Sequence, residues 1–254
     1  MENHPLRVSL GRWAAAFLQA SPRLALAIVG ACSAGAAAPP RPAVPRLPPE
    51  EIVVRTTSFA FRMGARVDEA WPARADETRA ALGGELTALL EEEDITVPLL
   101  ARQLGVTWPD EPLAFDVAMG PPGHVGPCDA EVPRLLHVAR QGPPPAMFFA
   151  CVLGRGFVRL AEESPLFRAI GARVRSREDA ARLYACVVGY AVAATLAASR
   201  REPRTTRLLE QGLGERCTPA MLDWLGREWV KRVRDEESAA GFGARAAEAQ
   251  LGPH

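Results

Sequence analysis

Ala146-Met147-Phe148-Phe149-Ala150-Cys151-Val152-Leu153-Gly154-Arg155 is the stretch on which the fold turns. It is apolar on every side through Leu153 and then gains a charged face at Arg155, Arg159 and Glu163. The pattern predicts a helix over 146–163 whose first half is buried, because a helix without a polar stripe has no side to offer water. Gly142-Pro143-Pro144-Pro145 breaks the chain just before it.

Strands lie on the N-terminal side of this helix. Glu51 to Met63 is β-rich, with Val53, Thr57, Phe59 and Phe61 suggesting one strand. Leu113, Phe115, Val117 and Met119 alternate with Ala114, Asp116 and Ala118, the period of a half-buried strand. Gly120 to Pro127 is turn material, and Val132 to Ala139 reads as a further strand. Between the first two strands, Asp76 to about Glu93 is helical on Leu82, Leu86, Leu89 and Leu90, weakened by Gly83-Gly84. Pro98 to Leu104 reads as a second, short helix ended by Gly105.

Helices follow the key stretch. Glu178 to Ser199 carries no charge from Leu183 onward, yet is rich in Ala, Gly and Thr. It is too weakly apolar for a membrane span and is expected to be the central core helix. Ala220 to Glu237 is amphipathic, with Leu222, Leu225, Trp229 and Val233 on one stripe. Strands first and helices afterwards predict an α+β fold: a small β-sheet with helices packed on one face and a helix-rich C-terminal half. The domain is expected to span 51–240, with 241–254 a loose tail.

Composition excludes more than it names. The chain has 254 residues, 48% of them hydrophobic, and thirty basic residues balance thirty acidic ones. No Lys/Arg cluster offers an electrostatic footprint for nucleic acid, so none is expected as a partner. Lys231 is the single lysine, and the histidines are His4, His124, His137 and His254. The sequence contains no His-Glu-x-x-His, Gly-x-Ser-x-Gly, phosphate loop or dinucleotide fingerprint, and no cofactor is expected.

The N-terminus reads as an export signal over 1–31. Arg7, Arg12 and Arg23 form a basic leader, and Leu24 to Ala31 is an apolar core too short to span a bilayer. Val29-Gly30-Ala31-Cys32 resembles a bacterial lipobox, which implies lipidation at Cys32. Cleavage after Ala36 by the ordinary signal peptidase is the alternative. Residues 32–50, rich in Ala and Pro, are expected to tether the domain to a membrane surface, placing the protein in the periplasm or at the outer membrane. Beyond Cys32 stand Cys128, Cys151, Cys186 and Cys217, an even number with three pairings. At least one disulfide is expected among them. Cys151 and Cys186 also suit reduced thiols, since both lie in apolar runs.

The order of elements resembles an uncharacterised group of secreted bacterial proteins with a zincin-like, gluzincin-type core. Trp108-Pro109, the strand through Asp116-Val117, the strand ending near Ala139 and the helix from Ala146 carry the resemblance. Trp71-Pro72 and Tyr190 are placed as in that group. The resemblance covers roughly 52–236 and implies a zinc helix over 146–163 with a later helix supplying a glutamate. Its metal-binding pentapeptide corresponds here to Ala150-Cys151-Val152-Leu153-Gly154, and its glutamate to Ala194. Zincin chemistry needs two imidazoles one turn apart, a third ligand and a carboxylate base. None stands at Ala150, Cys151, Gly154 or Ala194. The resemblance therefore implies a pseudoenzyme, its former pocket filled as core. A plain α+β domain of unrelated descent is the competing reading.

Other chemistry has thin support. His124, Cys128 and His137 could hold zinc for a metal-dependent hydrolase, though their spacing matches no familiar site. A Cys151 nucleophile is disfavoured, because an apolar helix raises a thiol's pKa. Glu91-Glu92-Glu93-Asp94 reads as a solvated charge run, and Trp224 and Trp229 as core. The expectation is a secreted, lipid-anchored, non-catalytic binding or structural protein with an unidentified protein or ligand partner.

Overall fold

The computed structural model describes residues 51–120, 134–139, 145–200 and 217–250. The segments read as signal and tether, with Cys32, and the residues His124 and Cys128, lie outside the described residues. The fold is α+β. Strand β1 (Ile52–Arg55) pairs antiparallel with β2 (Phe59–Met63). Parallel pairing then joins β2 to β3 (Leu113–Met119) and β3 to β4 (Leu135–Val138), giving the order β1-β2-β3-β4. Period-two alternation sends Phe59, Phe61, Phe115, Val117 and Leu136 to one face, where each is fully buried. Arg62 and Asp116, partners in register, form an ion pair of 2.7 Å on the other face.

The expected single strand over 51–63 is a hairpin. Thr56 N–H donates to Phe59 O at 2.9 Å, and Phe59 N–H donates to Thr56 Oγ1 at 3.1 Å, so the Thr56-Thr57-Ser58 segment turns the chain. Glu93 holds this turn from outside: its carboxylate accepts from Thr56 Oγ1 at 2.7 Å and from Thr57 N–H at 2.9 Å. Glu93 is accordingly buried, whereas a solvated run was expected there.

Helix α1 (Trp71–Leu104) fuses the two helices read from the sequence and runs on through Pro98. Pro98 and Asp94, four residues earlier, are both exposed, so the carbonyl that the proline deprives of a donor belongs to the solvent side. Gly105, in the left-handed conformation at φ 66°, ends the helix as expected. The key stretch forms α2 (Pro145–Arg159), followed by a short 3-10 turn (Ala161–Glu163). Then come α3 (Pro165–Gly171), α4 (Arg177–Arg200), α5 (Pro219–Arg234) and α6 (Ala239–Gln250). Ser164 and Thr218 cap α3 and α5, each before a proline. Helix α4 is long and apolar enough to cross a membrane by composition alone, with 61% of that window buried inside the protein.

Two readings of the C-terminal half need correction. On α5 the buried positions are Met221, Leu225, Trp229 and Arg232, while Val233 is exposed. The expected loose tail is a packed helix through Gln250, with Phe242, Ala246 and Ala247 fully buried. Close approach builds this contact: a Cβ on Gly243 would lie 2.6 Å from Leu166 O on α3. Gly243→Ala should therefore destabilise the protein by about 2 kcal/mol or more in denaturant melts, because backbone must move. Gly83→Ala and Gly84→Ala, exposed and with nothing within 4 Å of the added methyl, should each stabilise by ~0.5–1 kcal/mol. Equal effects at the two places would contradict the packed position of α6.

Glu85 lies on the core side of α1, with no hydrogen-bond partner for Oε2 among the described residues. Burial without a compensating charge pushes its pKa from 4.5 to about 7. The folded state then holds a proton that the unfolded chain releases above its own pKa. Stability from this group is complete below pH 4.5 and is lost as the pH rises through 7, an effect of about 3 kcal/mol. Glu85→Gln should flatten this slope in denaturant melts across that window; an unchanged slope would refute the assignment.

Candidate functional site

Helices α2 and α4 carry Ala150, Cys151, Gly154 and Ala194, the four positions at which the sequence resemblance expects zinc ligands and base. The two helices pack against each other, joined by Tyr184 Oη donating to Phe157 O at 3.2 Å. Burial raises the Tyr184 pKa, so this hydroxyl stays protonated and serves as a donor. On α2, Cys151, Val152, Leu153 and Gly154 are buried. Ala150 and Ala194 are each half-buried rather than sealed into the core. Beside the Tyr184 hydroxyl on this contact, the four positions themselves carry two methyls, a sulfur and a bare glycine Cα.

Cysteine chemistry is better defined. Cys186, on α4, is bonded to Cys217, the residue before the Thr218 cap of α5. Both are buried, with Cα atoms 5.4 Å apart and a sequence separation of 31. Cys151 is disulfide-bonded as well, which leaves no thiol there to act as a nucleophile. The reading of Cys151 and Cys186 as reduced core thiols is thereby overturned.

The sequence placed Arg155 on a charged face, yet it is buried at 3% exposure. Among the described residues strand β4 is a sheet edge, and Arg134 O accepts from Asp116 N–H toward β3. Alternation then turns Leu135 O outward, away from the ladder. Arg155 Nη1 donates to that carbonyl. One helical turn on, Arg159 Nη1 donates to Ala114 O at 2.7 Å, and its guanidinium lies 5.2 Å from the Phe115 ring centroid. Desolvation, then Arg134 and Arg62, lower the Arg159 pKa. These two arginines seal the β3–β4 end of the sheet. Nothing in their periodicity distinguishes them from solvated arginines.

A second aromatic and cationic cluster joins α5 to α6. Arg232 lies 4.8 Å from both the Trp229 and Phe242 centroids, and burial lowers its pKa to about 10. Arg245 covers Trp224 and Phe242 at 5.6 Å and pairs with Glu228 and Glu237 at 2.6 Å. Trp224 and Trp229 therefore already have ring and guanidinium partners, in keeping with the core reading.

His137 is on β4, half-buried; the other two members of the proposed cluster, His124 and Cys128, lie outside the described residues. Among the described residues no three His, Cys, Asp or Glu side chains gather as metal ligands would. The chain matches no family model, no curated protein and no solved structure.

The cysteine assignment can be measured. Alkylation of the denatured, unreduced protein from its native compartment should leave Cys186 and Cys217 unmodified, and both should label after reduction. Replacing both with Ala should cost about 3–4 kcal/mol, the chain-entropy value for a loop of this length. Labelling of both without reduction would refute the bridge.

Proposed function

We propose that this chain is an exported, lipid-anchored protein without catalysis, a binding or structural domain on a zincin-like scaffold that has lost its zinc ligands. The observation that carries this reading is the identity of four residues on α2 and α4. The positions matched to two imidazoles and a glutamate hold Ala150, Gly154 and Ala194, and the position matched to the base holds an oxidised Cys151. These four positions supply neither imidazole nor carboxylate for metal-assisted hydrolysis. Export is supported independently by the buried Cys186–Cys217 bridge, since such bonds persist in oxidising compartments. With the basic leader, short apolar core and lipobox-like Val29–Cys32, this points to attachment through Cys32 at the outer membrane or within the periplasm.

Metabolic labelling with a fatty-acid analogue tests the proposal. The wild-type protein should carry label and sediment with membranes, while Cys32→Ala should be unlabelled and released. Unprocessed wild-type protein in the cytosol would sink the export reading. Stoichiometric zinc in the native protein would sink the non-catalytic one and favour the His124/Cys128/His137 alternative.

A further inference from the structure

Between the 3-10 turn, α3 and the start of α4 the surface opens into a shallow depression of about 380 Å³. Its floor is apolar, made by Phe167, Val174 and Ala180. Its rim is cationic, made by Arg168, Arg175 and Arg177. The local charges divide into paired and unpaired. Arg177 is held by Glu162, Arg173 by Glu248 and Arg182 by Asp179. Arg168 and Arg175, both exposed, have no ion-pair or hydrogen-bonded side-chain partner among the described residues. Two guanidiniums outside any ion pair thus flank an apolar floor; Arg175 feels the charge of Asp179, which is itself held by Arg182, and the acidic residue on the rim, Glu162, is already engaged by Arg177.

We propose that this depression binds a small organic anion, a carboxylate or phosphate monoester whose acidic head bridges Arg168 and Arg175 and whose apolar body lies on Phe167 and Val174. Planar guanidinium forks suit the two oxygens of either head group. The volume fits a compact ligand and is too small for the chains of a diacyl lipid. Gly171 keeps the floor open: a Cβ there would meet only Ala180 Cβ, at 3.9 Å. A larger side chain can therefore fill the depression without straining the fold. The site is independent of the export reading and stands or falls without it.

Calorimetric titration of the full chain at low salt, with benzoate and phenyl phosphate as probes, tests the site. Saturable binding of at least one probe in the millimolar range or tighter is expected. Inorganic phosphate, which has no body to place on the floor, should bind about tenfold more weakly. The Arg168→Gln/Arg175→Gln pair and Gly171→Leu, each checked for an unchanged melting temperature, should both lose about tenfold or more in affinity. Gly171→Leu removes space without removing charge, so its loss separates a site from general attraction to arginine. Absence of saturable binding, affinity retained in either folded variant, or equal affinity for inorganic phosphate would overturn the proposal.

Discussion

Helix α1 ends inside the protein, and the rest of the structure is arranged around that fact. A buried helix C-terminus leaves its last four carbonyls without intrahelical donors, and each must find one. Here all four do. Ala101 O accepts from Val106 N–H at 2.9 Å, and Arg102 O from Gly105 N–H at 3.3 Å, as the left-handed glycine permits. Gln103 O accepts from Arg232 on α5, and Leu104 O from Ser164 Oγ at 2.9 Å. Ser164, fully buried, also caps α3 by accepting from Phe167 N–H. One helix end thus fixes where α3 begins and where α5 crosses, and α6 follows by packing on α3.

The same constraint explains why the cations that matter are arginines. Arg155 and Arg159 bond carbonyls at the end and edge of the sheet, and Arg232 bonds a helix carbonyl. A guanidinium offers several donors in a plane, sheds water more readily than an ammonium, and can lie against aromatic rings while bonding. Arg232 does all of this between Trp229 and Phe242. The single lysine, Lys231, is exposed beside it and pairs with Glu228 at the surface. Net charge, read from composition, is blind to this division of labour.

That blindness sets how much the sequence could disclose. Apolar periodicity located β3 and α4, and Gly105 located the C-terminal end of α1, because these signals are local. Arg155 was misplaced because its partner, Leu135 O, is a backbone atom twenty residues away whose availability depends on β4 being an edge. Val233 and Arg232 exchanged roles for a related reason: hydropathy rewards the valine, whereas the carbonyl of Gln103 draws the arginine inward. Helix α6 was missed because Gly243 and two alanines pack by proximity and present little hydropathy. Of the three pairings open to the four cysteines, geometry selects Cys186 with Cys217, and no spacing rule could have done so. At the candidate site, the sequence supplied the absence of ligands, and the structure added the packing of α2 on α4.

Glu85 shows what a carboxylate without a partner meets inside this core. In this chain a buried carboxylate without a cation is pushed to a pKa of about 7, a cost that falls on the folded state at neutral pH. Glu93, also buried on helix α1, gives both its oxygens to donors, Thr56 Oγ1 and Thr57 N–H, and so ties that helix to the β1–β2 turn. Glu85 Oε2 has no such donor among the described residues, so the two buried glutamates of α1 differ in their partners and not in their depth.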